Sequence, residues 1–232
     1  MSDTNGDTVT VCVPCYGTPE FLSQTLTSVA AQTHPVLETI VVDDGSPPAA
    51  AAAIRAISDR FGARYTRVTH RGLPSARNVA LMLARGSGFL PLDSDDWIEP
   101  TYVERTLPRL RDADVVCVGL QEHGLHSGRF LPGYDRPLEQ VTLDHVWQMN
   151  RFFYCSLLRT ELLREVGGYN GRMITGYEDW DLSIDLLARR ARFVAVNEIL
   201  FNYRTRADGL LARAERDHRE TNIALMREHH RK

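Results

Sequence analysis

Long apolar runs are missing from this 232-residue chain. No stretch reaches the roughly 20 residues that cross a bilayer, so no integral membrane span is predicted. Residues 1–7 are polar and lack the basic-then-apolar order of a secretory signal, which predicts a soluble, cytoplasmic protein. A basic excess is missing too: 27 Lys and Arg stand against 30 Asp and Glu, a formal charge of -3. The electrostatic footprint of a nucleic-acid binder is therefore absent. Cysteine is scarce. Cys12, Cys15, Cys117 and Cys155 form no set of two CxxC pairs, which argues against both a structural zinc site and a disulfide framework. Internal repeats and low-complexity linkers are absent apart from the alanine run over 49–53. What is present is ordinary, with 43% hydrophobic and 25% charged residues, and it suits one globular domain.

Two kinds of segment alternate over residues 9–120. Apolar strands are predicted at 9–13, 39–42, 65–69, 89–92 and 115–120, with helical patterns between them. Leu22, Leu26 and Val29 share one face of the first helix, with Thr18 placed to cap it and Pro19 at its first position. Further helices are predicted over 49–61, over 74–84 and after Pro100. Near-continuous apolar strands separated by helices imply an α/β fold with an open, mostly parallel sheet and helices on both faces. In such sheets ligands bind beyond the carboxyl ends of the strands. Beyond this alternation, residues 123–140 read as an irregular loop, helices are predicted at 143–149, 160–166 and 178–190, and separate strands at 193–196 and 199–203. The charged tail over 210–232 reads by default as a solvated helix, with packing on the domain or on another subunit as the alternative; Leu211, Ile223, Leu225 and Met226 are its few anchors, and His229 and His230 its solvated ends. His123 and His126 lack a third ligand and are predicted exposed.

Two acidic groups end strands: Asp43-Asp44 the second and Asp93-Ser94-Asp95-Asp96 the fourth, so both project at one edge of the sheet. Each has a structural reading of its own, as an Asp-Gly-Ser turn or as helix-start acids. Crowding four or more carboxylates on one rim is costly unless a cation is present. Oxygen-only ligands completed by water and phosphate suit Mg²⁺ or Mn²⁺ rather than zinc. A third pair, Glu178-Asp179, opens an amphipathic helix, where acids also stabilise an N-terminus. A carboxylate over a metal–phosphate site is a natural general base for an incoming hydroxyl.

The ordered series Val13-Pro14-Cys15-Tyr16, Asp43-Asp44-Gly45-Ser46, Gly72-Leu73-Pro74-Ser75-Ala76-Arg77-Asn78, Leu92-Asp93-Ser94-Asp95-Asp96 and Gly176-Tyr177-Glu178-Asp179-Trp180-Asp181 resembles family-2 glycosyltransferases of the GT-A fold. The similarity covers about residues 9–204. It implies a GT-A-type, Rossmann-like sheet and transfer of one sugar, with inversion, from a nucleoside diphosphate sugar, most often UDP-linked. By matching positions Pro14 and Tyr16 would shape the nucleotide pocket and Asp44 would meet the base. Asp93, with Ser94 beside it, would meet the ribose or donor sugar, and Asp95 would hold the metal. Asp179 would be the base, with Glu178 second in line. The domain would divide into a nucleotide-sugar half over 9–120, an acceptor half over 121–209 and the tail over 210–232.

Departures from the family pattern shape further expectations. Gly17 stands where Asn is common, and Thr205-Arg206 follows Tyr203-Arg204 where many relatives have a metal-binding His. Arg204 or Arg206 would instead neutralise the leaving diphosphate. Arg71 and Arg77 bracket the start of the helix after the third strand and would contact phosphate or base, or else salt-bridge surface acids. The Gln-x-x-Arg-Trp signature of processive synthases is missing, so transfer would be non-processive. The acceptor stays open among a glycan, a lipid-linked molecule and a small molecule, as does the oligomeric state. Rival readings are a sugar-phosphate nucleotidyltransferase, for which Pro14-Cys15-Tyr16-Gly17 supplies no Gly-rich phosphate loop, and a non-catalytic nucleotide-sugar binder. A thiol-disulfide oxidoreductase using Cys12-Val13-Pro14-Cys15 is the remotest.

Overall fold

The first strand, β1 (Val9–Cys15), is buried at every position. Its residues alternate between two cores, as a strand's period of two requires. Val9, Val11 and Val13 meet Leu22, Leu26 and Ile54 on one face, while Cys12 joins Ile40, Val42, Ala76 and Ala80 on the other. The computed structural model describes residues 7–133 and 136–231. Residues 1–6 of the polar start, Tyr134 and Asp135 of the irregular stretch, and Lys232 of the tail lie outside the described residues.

After β1 come α1 (Pro19–Ala30), β2 (Glu38–Asp43), α2 (Pro48–Arg60), β3 (Arg64–Arg67), α3 (Leu73–Leu83) and β4 (Gly88–Pro91), the expected alternation. Thr18 occupies the α1 cap position, but its hydroxyl donates to the Tyr16 carbonyl at 3.4 Å instead of capping. The later elements are β5 (Trp97–Ile98), α4 (Tyr102–Thr106), β6 (Val115–Gly124), β7 (Arg129–Phe130), α5 (Leu143–Gln148), β8 (Leu157–Arg159), α6 (Thr160–Glu165), α7 (Glu178–Ala188) and β9 (Phe193–Thr205). The chain then forms α8 (Leu210–Arg213), a π-helical turn (Ala214–His218) and α9 (Arg219–His229). One nine-stranded sheet runs β3-β2-β1-β4-β8-β6-β9-β5, with β7 on β6. Its long ladders are parallel, and the short pairings of β8, β7 and β5 are antiparallel. Among the described residues no helix is long and apolar enough to cross a membrane.

Three expectations are corrected. Residues 193–203 make one strand, whose exposed Asn197-Glu198 step is absorbed by register shifts on either side of Gly119 in β6. His123 belongs to β6 and is partly buried; its Nε2 lies 2.9 Å from Asn202 Oδ1 and its ring packs on Trp97. The tail is docked rather than solvated. Ala214, Asn222 and Met226 are its buried contacts, whereas the expected anchor Leu211 is 50% exposed.

Candidate active site

β1 lies between β2 and β4, running parallel to both, so the loops that follow all three leave the same edge. The Gly17 amide donates to Ser46 Oγ at 3.0 Å, tying the first loop to the second. Asp43, fully buried, is a structural acid. It accepts from the Ser46 amide at 2.8 Å and the Tyr65 hydroxyl at 2.6 Å. Asp44 fastens the segment before α3, taking the amides of Arg71 at 3.0 Å and Gly72 at 2.8 Å, with His70 Nδ1 2.8 Å from its Oδ2. His70 in turn stacks on Tyr16, ring centroids 4.1 Å apart, and Tyr16 is half exposed. Asp44 thus already has three donors within its own chain.

The acids after β4 divide by partner. Asp96 is buried on the Tyr154 hydroxyl at 2.5 Å and the Arg204 amide at 2.6 Å. Ser94 is buried and its carbonyl accepts from Thr25 Oγ1 at 2.9 Å. Asp93 and Asp95 are both partly exposed, and Arg206 Nη1 lies 3.7 Å from the Asp95 carboxylate. Burial, with the Asp93 charge adding, pushes Asp95 up to about 6, against the opposing Arg206.

Arg77 departs most from expectation. It does not reach outward to an anion; it is wholly buried on α3, with Nη2 2.7 Å from Asp93 Oδ1 and Nη1 2.6 Å from Glu178 Oε1. Its guanidinium lies over Tyr154 and Tyr169. Two carboxylates at 2.6–2.7 Å occupy both terminal nitrogens, and complete burial keeps the guanidinium from an outside phosphate. The bridge brings the acids after β4 to the start of α7. Beside it, Asp179 is partly exposed, receives Asn150 Nδ2 on Oδ2 at 2.9 Å, and borders a small cavity with Tyr154 and Tyr169. Burial raises the Asp179 carboxyl, and Arg77 works against that rise. Burial likewise raises Glu178, opposed by Arg77. Asp93, Asp95, Asp96 and Asp179 all act on the Tyr203 hydroxyl, which burial and these charges push upward. The second and third acidic segments therefore share one locale, and Asp44 sits across β1 on the same edge.

Arg204 is also redirected. Its Nε donates to the Asp95 carbonyl at 2.9 Å, Nη2 to Gln24 at 2.7 Å, and it covers Phe21 and Trp97. Pro14 lies one residue before the end of β1, opposite Val42, and the Arg71 backbone holds Asp44. Sequence reasoning missed His70, Asn150 and the Tyr154 hydroxyl. None sits in a motif, and Tyr154 reads as one more core aromatic. The four cysteines are all buried and free, and burial pushes Cys12 up to about 12 and Cys15 to about 11. That environment is the reverse of a reactive thiol's.

A mostly parallel open sheet with acidic loops gathered at its carboxyl edge defines an α/β enzyme of the GT-A type. The family model for Glycosyl transferase family 2 matches residues 10–167, more than half of the chain, and the chain belongs to that family. It is 27% identical over 231 residues to glycosyltransferase GlyG of Streptococcus pneumoniae serotype 4, covering 90% of this chain and 74% of GlyG. Among solved structures, S. aureus TarS 1–349 in complex with UDP-GlcNAc matches with a TM-score of 0.76 at 21% identity, over 94% of this chain and 66% of that one. Mannosyltransferase PcManGT from Pyrobaculum calidifontis, in complex with GDP-Man and Mn²⁺, matches at 0.72 and 20%, over 97% and 64%. The chain spans about two thirds of either solved chain and as little as 18% of another curated relative. It is a glycosyltransferase, and the redox, nucleotidyltransferase and non-catalytic readings fall away.

Proposed function

We propose that this glycosyltransferase transfers a single sugar, with inversion and without processive elongation, from a nucleoside diphosphate sugar to an acceptor hydroxyl. UDP-linked donors are favoured by the likeness to the UDP-GlcNAc-bound TarS, with GDP-linked donors second on the likeness to PcManGT. The observation that carries the reading is the buried Arg77 bridge, which sets Asp179 next to the acids after β4. Tyr16, backed by His70, offers a ring to the base, and Asp44 secures the backbone beneath it. Pro14, near the end of β1, helps shape the nucleotide pocket, and Asp93 and Ser94 border the sugar end.

Donors at the Asp93–Asp95 rim are oxygens, and Asp95 is held near a pKa of about 6 by burial and Asp93, an arrangement that a nearby cation relieves. The residues fit a hard divalent ion, Mn²⁺ or Mg²⁺, held by Asp95. When bound, such an ion offsets the charge that builds on a departing diphosphate. Arg206, beside Asp95, adds to that neutralisation. Asp179 takes the acceptor proton. Glu178 is the poorer base because its carboxylate is buried on Arg77, whereas Asp179 is partly exposed and steered by Asn150. A single displacement assisted by one carboxylate inverts the anomeric carbon.

Asp179→Asn is expected to lower turnover by about 10²–10⁴-fold, the usual worth of a general base, with donor affinity unchanged. Calorimetric donor binding beside initial rates, with the product anomer read by NMR, checks both parts. Wild-type turnover in the variant removes Asp179 from the role, and a retained anomer removes inversion.

A further inference from the structure

Away from this site, α7 and the end of α9 bring four metal-ligating side chains together. Asp181 and Asp185 lie one turn apart on α7. His230 Nε2 is 3.0 Å from Asp181 Oδ1 and its Nδ1 3.5 Å from Asp185 Oδ1. His229 Nε2 is 3.2 Å from Asp185 Oδ2 and 4.0 Å from Asp181 Oδ2. One ligand atom from each of the four lies within 4.8 Å of all the others. Asp181 has 0% exposure, and its Oδ2 has no hydrogen-bond partner.

We propose that Asp181, Asp185, His229 and His230 bind one divalent transition-metal ion of the zinc class, which clamps the C-terminal helix onto the helix that carries Asp179. In a tetrahedral shell with bonds of about 2.0–2.1 Å, neighbouring ligand atoms stand about 3.3–3.4 Å apart. The His230 Nε2–Asp181 Oδ1 and His229 Nε2–Asp185 Oδ2 pairs, at 3.0 and 3.2 Å, are close to that spacing, and the wider separations, up to 4.8 Å, require side-chain rotation around the ion. Two imidazoles with two carboxylates favour zinc over magnesium or calcium, in contrast to the all-oxygen rim at Asp95. Plain His–Asp pairing puts an imidazole nitrogen within 4.0 Å of every carboxylate oxygen, but its hydrogen bonds reach Asp181 Oδ1 and Asp185 Oδ2 and leave the buried Asp181 Oδ2 without a donor. A cation facing both carboxylates satisfies it. Trp147 meets the His230 ring edge-on at 5.5 Å and fixes its orientation. Asp185 and His229 are partly exposed, which gives the ion a way in.

The full chain, stripped with chelator and dialysed, is titrated with ZnCl₂ by calorimetry and scanned for melting temperature. Wild type and Asp95→Asn are expected to bind one equivalent and to gain stability. The His229→Ala/His230→Ala double variant and Asp185→Asn are expected to lose this binding by more than the roughly 10–100-fold that an outer-shell partner is worth. Circular dichroism of both variants verifies folding, and the partly exposed Asp185 stands in for the buried Asp181 should Asp181→Asn not fold. Equal zinc affinity in wild type and the double variant overturns the proposal. So does binding that disappears in Asp95→Asn alone, which places the ion at the donor rim. Loss of transferase activity in Asp179→Asn bears on the catalytic reading and leaves this one untouched.

Discussion

A single guanidinium at 0% exposure joins acids 16 and 101 residues away along the chain. Removing one partner from such a buried arrangement costs about 3–5 kcal/mol, because the remaining charges stay desolvated without compensation. Arg77→Met is expected to lower unfolding stability by that amount, read as a shift of the urea midpoint at unchanged slope. A loss below about 1 kcal/mol would mean the bridge contributes no more than a surface pair. The thiols make a second case at this scale. Burial raises Cys12 to about 12 and Cys15 to about 11, so both stay neutral at pH 8 and form the nucleophilic thiolate only in strong alkali. Iodoacetamide at pH 8 is expected to leave the native protein unlabelled and to label all four cysteines once urea exposes them. A fast-labelling thiol in the native protein would reopen redox chemistry. The acids of the rim are legible in the sequence because a strand's end dictates where the next residues emerge. The direction of Arg77 is not. Its charge and its place on a helix are written locally, while the two carboxylates that capture it arrive through tertiary packing.

Elements follow the same logic. The strands of the first half are legible because burial on both faces makes them apolar throughout, as in β1. β9 is misread as two strands because Asn197 and Glu198 face solvent at the bulge and interrupt the apolar pattern. The tail is misread as solvated because much of its docking is polar: Thr175 Oγ1 donates to Asn222 Oδ1 at 2.6 Å and the Tyr177 hydroxyl to Glu215 at 2.5 Å. Periodicity registers apolar contacts and misses these. The loop after β2 offers a sharper test. Gly45 has φ +78, and a Cβ there would come within 2.7 Å of the His70 amide nitrogen. Gly62 has a similar φ of +64 with nothing within 4 Å of the same position. Both Gly→Ala changes carry the left-handed backbone cost of about 1–3 kcal/mol. Gly45→Ala alone is expected to push His70 off Tyr16 and weaken donor binding. Equal donor affinity in the two variants, measured by calorimetry, would detach the Tyr16–His70 stack from the nucleotide.

At the scale of the molecule, side chains tie together the loops of the carboxyl edge. Ser46 catches the loop after β1, Asp44 the segment before α3, and Arg77 joins α3, the acids after β4 and α7. On the proposed reading, a donor spanning from Tyr16 to Asp95 would bind only when these are assembled, so its binding free energy would add to the stability of the whole fold. At a hundredfold excess over Kd the gain is about 2.7 kcal/mol. At about 2–4 °C per kcal/mol for a domain of this size, the melting temperature should rise by about 5–11 °C. The rise is expected with a UDP-sugar and Mn²⁺ and should shrink when EDTA removes the ion. It should persist in Asp179→Asn, whose missing carboxylate serves the acceptor in the proposed reaction. A panel of UDP-, GDP- and dTDP-sugars that leaves the melting temperature unmoved in the presence of Mn²⁺ would break the link between this edge and a sugar nucleotide.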